Sequence, residues 1–98
     1  MVQRCIRPDF KYFGMFVTYI LQSKNVGAYY IGSCANLEIR LHQHNIGRVK
    51  ATKRYAPWSV VHSESFDTLR DARKREAQIK SWKRRGAIEK LIKHSKIY

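Results

Sequence analysis

"TYIL" at 18–21 and "YYIG" at 29–32 are separated only by "QSKNVGA". Both runs are short and rich in β-branched and aromatic residues, the composition of strands. The segment between them carries Ser23, Asn25 and Gly27, residues that suit a turn. The pair predicts a hairpin, with strands over 15–22 and 28–33. It also raises a question, because Tyr19, Tyr29 and Tyr30 crowd into one small hairpin. Strand side chains alternate, so Tyr29 and Tyr30 face opposite ways. The hairpin alone does not say which of the three hydroxyls matters.

Outward from the hairpin, "ANLEIRLHQHNIG" (35–47) predicts a helix, with Asn36 as N-cap and Gly47 as its stop. At about 100° per residue, Leu37, Arg40, Leu41 and His44 share one stripe of it. A basic loop, "GRVKATKRYAP" (47–57), leads to a third strand, "WSVVHSESF" (58–66). Thr68 followed by Asp71 is a capping-box variant that opens a helix over 69–83. Its apolar stripe is Leu69, Ala72, Ile79 and Trp82, with Glu76 lying in that stripe. The other face is basic, with Arg70, Arg73, Lys74, Arg75 and Lys80. Arg85 and Gly86 read as a break before a final helix over 87–95. The expected fold class is α+β, a three-stranded, mainly antiparallel sheet flanked by helices in the order β-β-α-β-α-α. Residues 15–95 are expected to form one domain and residues 1–14 an N-terminal arm, with Met15 an alternative start.

Charge bounds the partner. The chain of 98 residues carries 20 Lys and Arg against 7 acids, a net charge of +13. The cations cluster at 50–54, 73–75 and 83–85, which favours a polyanion, nucleic acid first, over evenly solvated charge. No stretch pairs a broad apolar face with this charge, so no membrane partner is expected. The run "FGMFVTYIL" (13–21) follows Arg4, Arg7 and Lys11 but is no signal peptide: it is β-branched, broken by Gly14 and preceded by Asp9. Cys5 and Cys34 form neither a metal knuckle nor a disulfide framework, which points to a reduced, cytoplasmic setting.

Arg40 and Glu76, charges on apolar stripes, are the informative residues. Burying a charge costs several kcal/mol unless it is paired or coordinated. They either pair with each other at the core edge, or line a cleft where the carboxylate holds a cation and the guanidinium a phosphate. The pieces "VTY" (17–19), "YIG" (30–32), "EIRLHQHN" (38–45), "TKRYAPW" (52–58) and "REAQIKSW" (75–82), in this order, resemble the GIY-YIG nuclease family in its small single-domain form. No piece is specific alone; the ordered set is.

The resemblance implies a phosphodiester-cleaving enzyme acting on DNA with one divalent metal, Mg²⁺ or Mn²⁺. It assigns the catalytic set as Tyr19, Tyr30, Arg40, His44 and Glu76, with Glu76 holding the metal, Gly32 closing the second motif and Tyr19 the general base. Arg48, Lys50, Lys53, Arg54, Arg73 and Lys80 are the expected nucleic-acid contacts. The chain departs from the family in reading "VTY" for "GIY", which keeps the tyrosine. It also lacks the late asparagine that follows the glutamate in many members, since no Asn occurs after Asn45. That departure leaves room for a weakly active or inactive binding protein for DNA or RNA, or a structural RNA-binding protein of ribosomal type. Pure binding, however, needs no buried glutamate. His42 and His62 read as surface or strand residues, Trp58 and Trp82 as core or cleft wall, and Cys34 as no catalyst. A monomer is expected by default, with a partner protein or the basic loop supplying specificity.

Overall fold

The computed structural model describes residues 15–95, so the arm expected at 1–14 lies outside the described residues. Three strands, β1 (Phe16–Ser23), β2 (Tyr29–Cys34) and β3 (Trp58–Phe66), make one sheet in the order β2-β1-β3. Both pairings are antiparallel. Helix α1 (Leu37–Asn45) follows β2, and α2 (Leu69–Trp82) and α3 (Arg85–Ser95) follow β3. This is the α+β fold expected, and the strand bounds differ from the sequence reading by at most one residue.

The central strand explains the composition of "VTYIL". With a neighbour on each edge and helices over both faces, β1 buries Thr18, Tyr19, Ile20 and Leu21 together. Ile20 and Ile31 pack with Ile79 of α2 and with Ile88 and Ile92 of α3. Tyr19, Leu21 and Trp58 fill the opposite face, against Leu37 and Leu41 of α1. Thr18, on the α2 side, satisfies its buried hydroxyl by donating to the Ala72 carbonyl at 2.7 Å. A register shift in β3 opposite Ile20 and Leu21 is the one irregularity recorded between these strands.

The hairpin turn is stitched to the loop before β3. Ser23 Oγ accepts from the Asn25 and Val26 amides and donates to the Tyr55 carbonyl at 2.7 Å. The Lys24 amide donates to Pro57 O at 2.9 Å. Gly27 takes φ 71°, a value that glycine reaches without strain.

Helix ends follow the sequence with one exception. Asn36 accepts from the Ile39 amide and Thr68 from the Asp71 amide, as N-caps do. The expected break at Arg85 and Gly86 is corrected: Lys83 ends α2 in the left-handed region at φ 53°, and Arg85 and Gly86 already belong to α3. Gly86 sits in the first turn of that helix, where its missing side chain costs little. No helix among the described residues is long and apolar enough to cross a membrane.

Candidate active site

The site is built around the last residues of β2, an edge strand. Tyr19 pairs with Gly32 across the β1–β2 ladder. Its ring lies directly over that glycine: a Cβ at position 32 would stand 2.5 Å from the Tyr19 hydroxyl oxygen and 2.7 Å from Cζ. Only glycine fits beneath the ring, so the "G" of "YIG" is there for close approach. Tyr30 is two residues back on the same face. Its ring centroid is 5.1 Å from that of His44 and 6.3 Å from that of Trp58.

Helix α1 brings Arg40 and His44, one turn apart, onto this face. His44 is fully buried. Its Nε2 lies 3.0 Å from the Tyr19 hydroxyl and its Nδ1 2.7 Å from Thr52 Oγ1. Burial, and then the charge of Arg40, lower its pKa from 6.5 to about 4, so the ring is neutral at pH 7. Burial pushes the Tyr19 phenol up to about 12, an effect opposed by the adjacent Arg40 guanidinium and reinforced by nearby Cys34 and Tyr30. The Arg40 guanidinium also donates to Gln43 Oε1 at 3.0 Å.

Glu76 arrives from the other face. Ser33, the residue after Gly32, points toward α2 and donates its hydroxyl to Glu76 Oε1 at 2.6 Å. Tyr19 and Glu76 thus meet β2 at consecutive residues from opposite sides. The second Glu76 oxygen is 2.6 Å from Lys80 Nζ, an i,i+4 pair. Arg40 and Glu76 do not pair with each other, so the core-edge alternative is not the one adopted.

The expected nucleic-acid contacts divide into two groups. Arg48, Lys50, Lys53 and Arg54 are exposed on the loop after α1, with Arg54 over the Tyr55 ring. Arg73 is exposed on α2 one turn before Glu76, and Lys80 is tied to Glu76 itself. Tyr29 faces away from Tyr30, packs with the α2–α3 core and carries Arg85 over its ring at 4.5 Å. His42 is exposed, and His62 lies buried on β3 with Nε2 2.7 Å from Glu64, which also accepts from Arg75.

Sequence reasoning missed Ser33, Gln43 and Thr52. Ser33 was within reach, because alternation along "YYIGS" puts it on the α2 face. Thr52 looks like any threonine in a basic loop, and nothing local marks it as buried.

The family model for the GIY-YIG catalytic domain matches residues 15–91. The chain belongs to the GIY-YIG nuclease family. Among its relatives, a UPF0213 protein of Syntrophus aciditrophicus is 40% identical over 79% of this chain and 88% of its own length. One from Staphylococcus saprophyticus is 40% identical over 76% of this chain and 89% of its own. The solution NMR structure of a UPF0213 protein from Bacillus halodurans aligns with TM-score 0.51 and 26% identity, covering 81% and 83% of the two chains. The GIY-YIG fold and the small size of these relatives agree with the three-stranded domain described above.

Proposed function

We propose that this protein is a metal-dependent endonuclease that hydrolyses phosphodiester bonds in DNA, with Tyr19 as general base and Glu76 as the metal ligand. The observation that carries this reading is the meeting of Tyr19, His44 and Arg40 with Glu76 at Gly32 and Ser33 of one strand end. A packed core would fill the His44 and Glu76 positions with apolar side chains.

Among the described residues, no group of three or more His, Cys, Asp or Glu could cage a metal. The fit to Mg²⁺ or Mn²⁺ rests on Glu76, with the Ser33 hydroxyl beside it. One carboxylate suits Mg²⁺, which keeps most of its waters and takes further oxygens from substrate phosphate. When bound, the cation supplies charge neutralisation at the phosphate and the leaving oxygen. Arg40 offers parallel N–H donors to nonbridging phosphate oxygens. Tyr19 is protonated in the resting protein, and the positive charge of Arg40 favours its phenolate. As phenolate it takes the proton from the attacking water. Tyr30 lies beside His44 and, on this reading, orients that water. The exposed cations of the 48–54 loop and Arg73 neutralise flanking phosphates.

The test is cleavage of duplex, branched and single-stranded DNA, and of RNA, with Mg²⁺ or Mn²⁺, by wild type and Glu76→Ala. Metal-dependent cleavage lost in Glu76→Ala is expected; equal cleavage by both removes Glu76 from the reaction. One observation favours the second reading, a basic binding protein with little or no cleavage: both Glu76 oxygens already have protein partners, Ser33 and Lys80. Tight binding with no cleavage of any substrate selects it. We further take the protein to act as a monomer, with the loop cations or a partner protein setting specificity.

A further inference from the structure

Thr52 is fully buried although its neighbours Lys53 and Arg54 are exposed. Its carbonyl accepts from Trp58 Nε1 at 2.9 Å, so a buried tryptophan fixes its place. Its hydroxyl lies 2.7 Å from His44 Nδ1 and within longer donating reach of Val49 O, at 3.3 Å. The Val49 carbonyl already accepts the Thr52 amide at 3.1 Å and the Lys53 amide at 3.0 Å. Those two amides take up both lone pairs of that oxygen, so the hydroxyl hydrogen is better used on His44.

The two distances at the imidazole agree. To oxygen acceptors, hydroxyls donate most often at about 2.7–2.8 Å and N–H groups at about 2.9–3.0 Å. The 2.7 Å contact at Nδ1 fits Thr52 O–H donating to a ring lone pair. The 3.0 Å contact at Nε2 fits a ring N–H donating to the Tyr19 oxygen. A neutral imidazole carries one ring proton, so the two assignments require each other.

We propose that Thr52 is a positioning residue: it holds His44 as the Nε2–H tautomer, which donates to the Tyr19 oxygen, so that the phenol's own proton is not committed to His44 and passes to water when the phenolate forms. In the opposite tautomer Tyr19 would donate to His44, and its proton would be held in that hydrogen bond. An N–H aimed at the phenol oxygen also favours the phenolate over the phenol. His44 thereby acts as a donor to the base and not as the acceptor of its proton. The kinetic consequence rests on the nuclease reading above; the tautomer itself does not.

The test measures His44 ring nitrogen shifts by long-range ¹H–¹⁵N NMR in wild type, Thr52→Ser and the near-isosteric Thr52→Val. The expected result is a neutral, Nε2-protonated ring in wild type and Thr52→Ser, and growth of the Nδ1-protonated form in Thr52→Val. In the cleavage assay, Thr52→Val should lose about 10- to 100-fold in kcat, as when the partner that orients a functional histidine is removed. KM should stay within about twofold, and Thr52→Ser should recover most of the loss. An Nδ1-protonated ring in wild type overturns the proposal, and that readout holds even if Thr52→Val fails to fold. An unchanged tautomer and kcat in folded Thr52→Val overturns it too. If wild type cleaves nothing, the nuclease reading fails while the ring shifts still decide the tautomer.

Discussion

At Gly32 the β2 backbone passes so close beneath the Tyr19 ring that a methyl group has no room. Gly32→Ala must therefore tilt the ring or bend the strand, at about 1–3 kcal/mol of overpacking cost. Moving the base by about 1 Å should cut cleavage by about 100-fold, read by comparing rate and melting midpoint with wild type. His44 makes a separate prediction. Its pKa is about 4 folded against 6.5 ordinarily, so the unfolded chain binds the proton more readily. Stability from this group is complete above pH 6.5 and is lost as pH falls toward 4, by on the order of 3 kcal/mol. Urea titrations from pH 7 to pH 4 should show that loss in wild type and a smaller one in His44→Gln. Glu64, whose pKa is lowered by Arg75 and His62 against the opposing effect of burial, adds its loss at lower pH, below the ordinary carboxylate value. At this scale Arg40, His44 and Glu76 stand out in the sequence as polar groups on apolar helix stripes, whereas Tyr19 is singled out by its match to the family motif. Thr52 could not, since its burial arises only when the loop closes over α1.

Helix α2 links stability to the site. Its Thr68 cap was readable from the spacing to Asp71, and Thr68→Ala should lower stability by about 1 kcal/mol in chemical denaturation. Farther along, Lys80 pairs with Glu76, the proposed metal ligand. Lys80→Met should free that carboxylate and raise Mn²⁺ affinity by up to about fivefold, measured by EPR titration; a lower affinity would mean that Lys80 supports the site. The end of α2 was misread because glycine is the usual sign of a helix stop. Here Lys83 takes the left-handed conformation, and Gly86 falls in the next helix. The strands were easier: β1 is central and rich in β-branched and aromatic residues, and a turn with Ser23, Asn25 and Gly27 sets the hairpin.

Across the whole molecule, a net charge of +13 on 98 residues favours a salt-dependent grip on nucleic acid. If about four to six cations contact phosphates, the plot of log K against log salt should have a slope near −4 to −5 on duplex DNA; a flat plot would contradict the phosphate contacts. Pattern identified the small α+β domain, and charge favours a polyanionic partner. What they could not show is that Tyr19 and Glu76 reach one strand end from opposite faces, because that depends on how α1 and α2 flank β2. The most direct test of the central claim is the single-turnover cleavage rate of Tyr19→Phe against wild type, with Mg²⁺ present and DNA affinity measured alongside. The account predicts a rate lower by about 10²- to 10⁴-fold at unchanged affinity. Equal rates for the two proteins would contradict it.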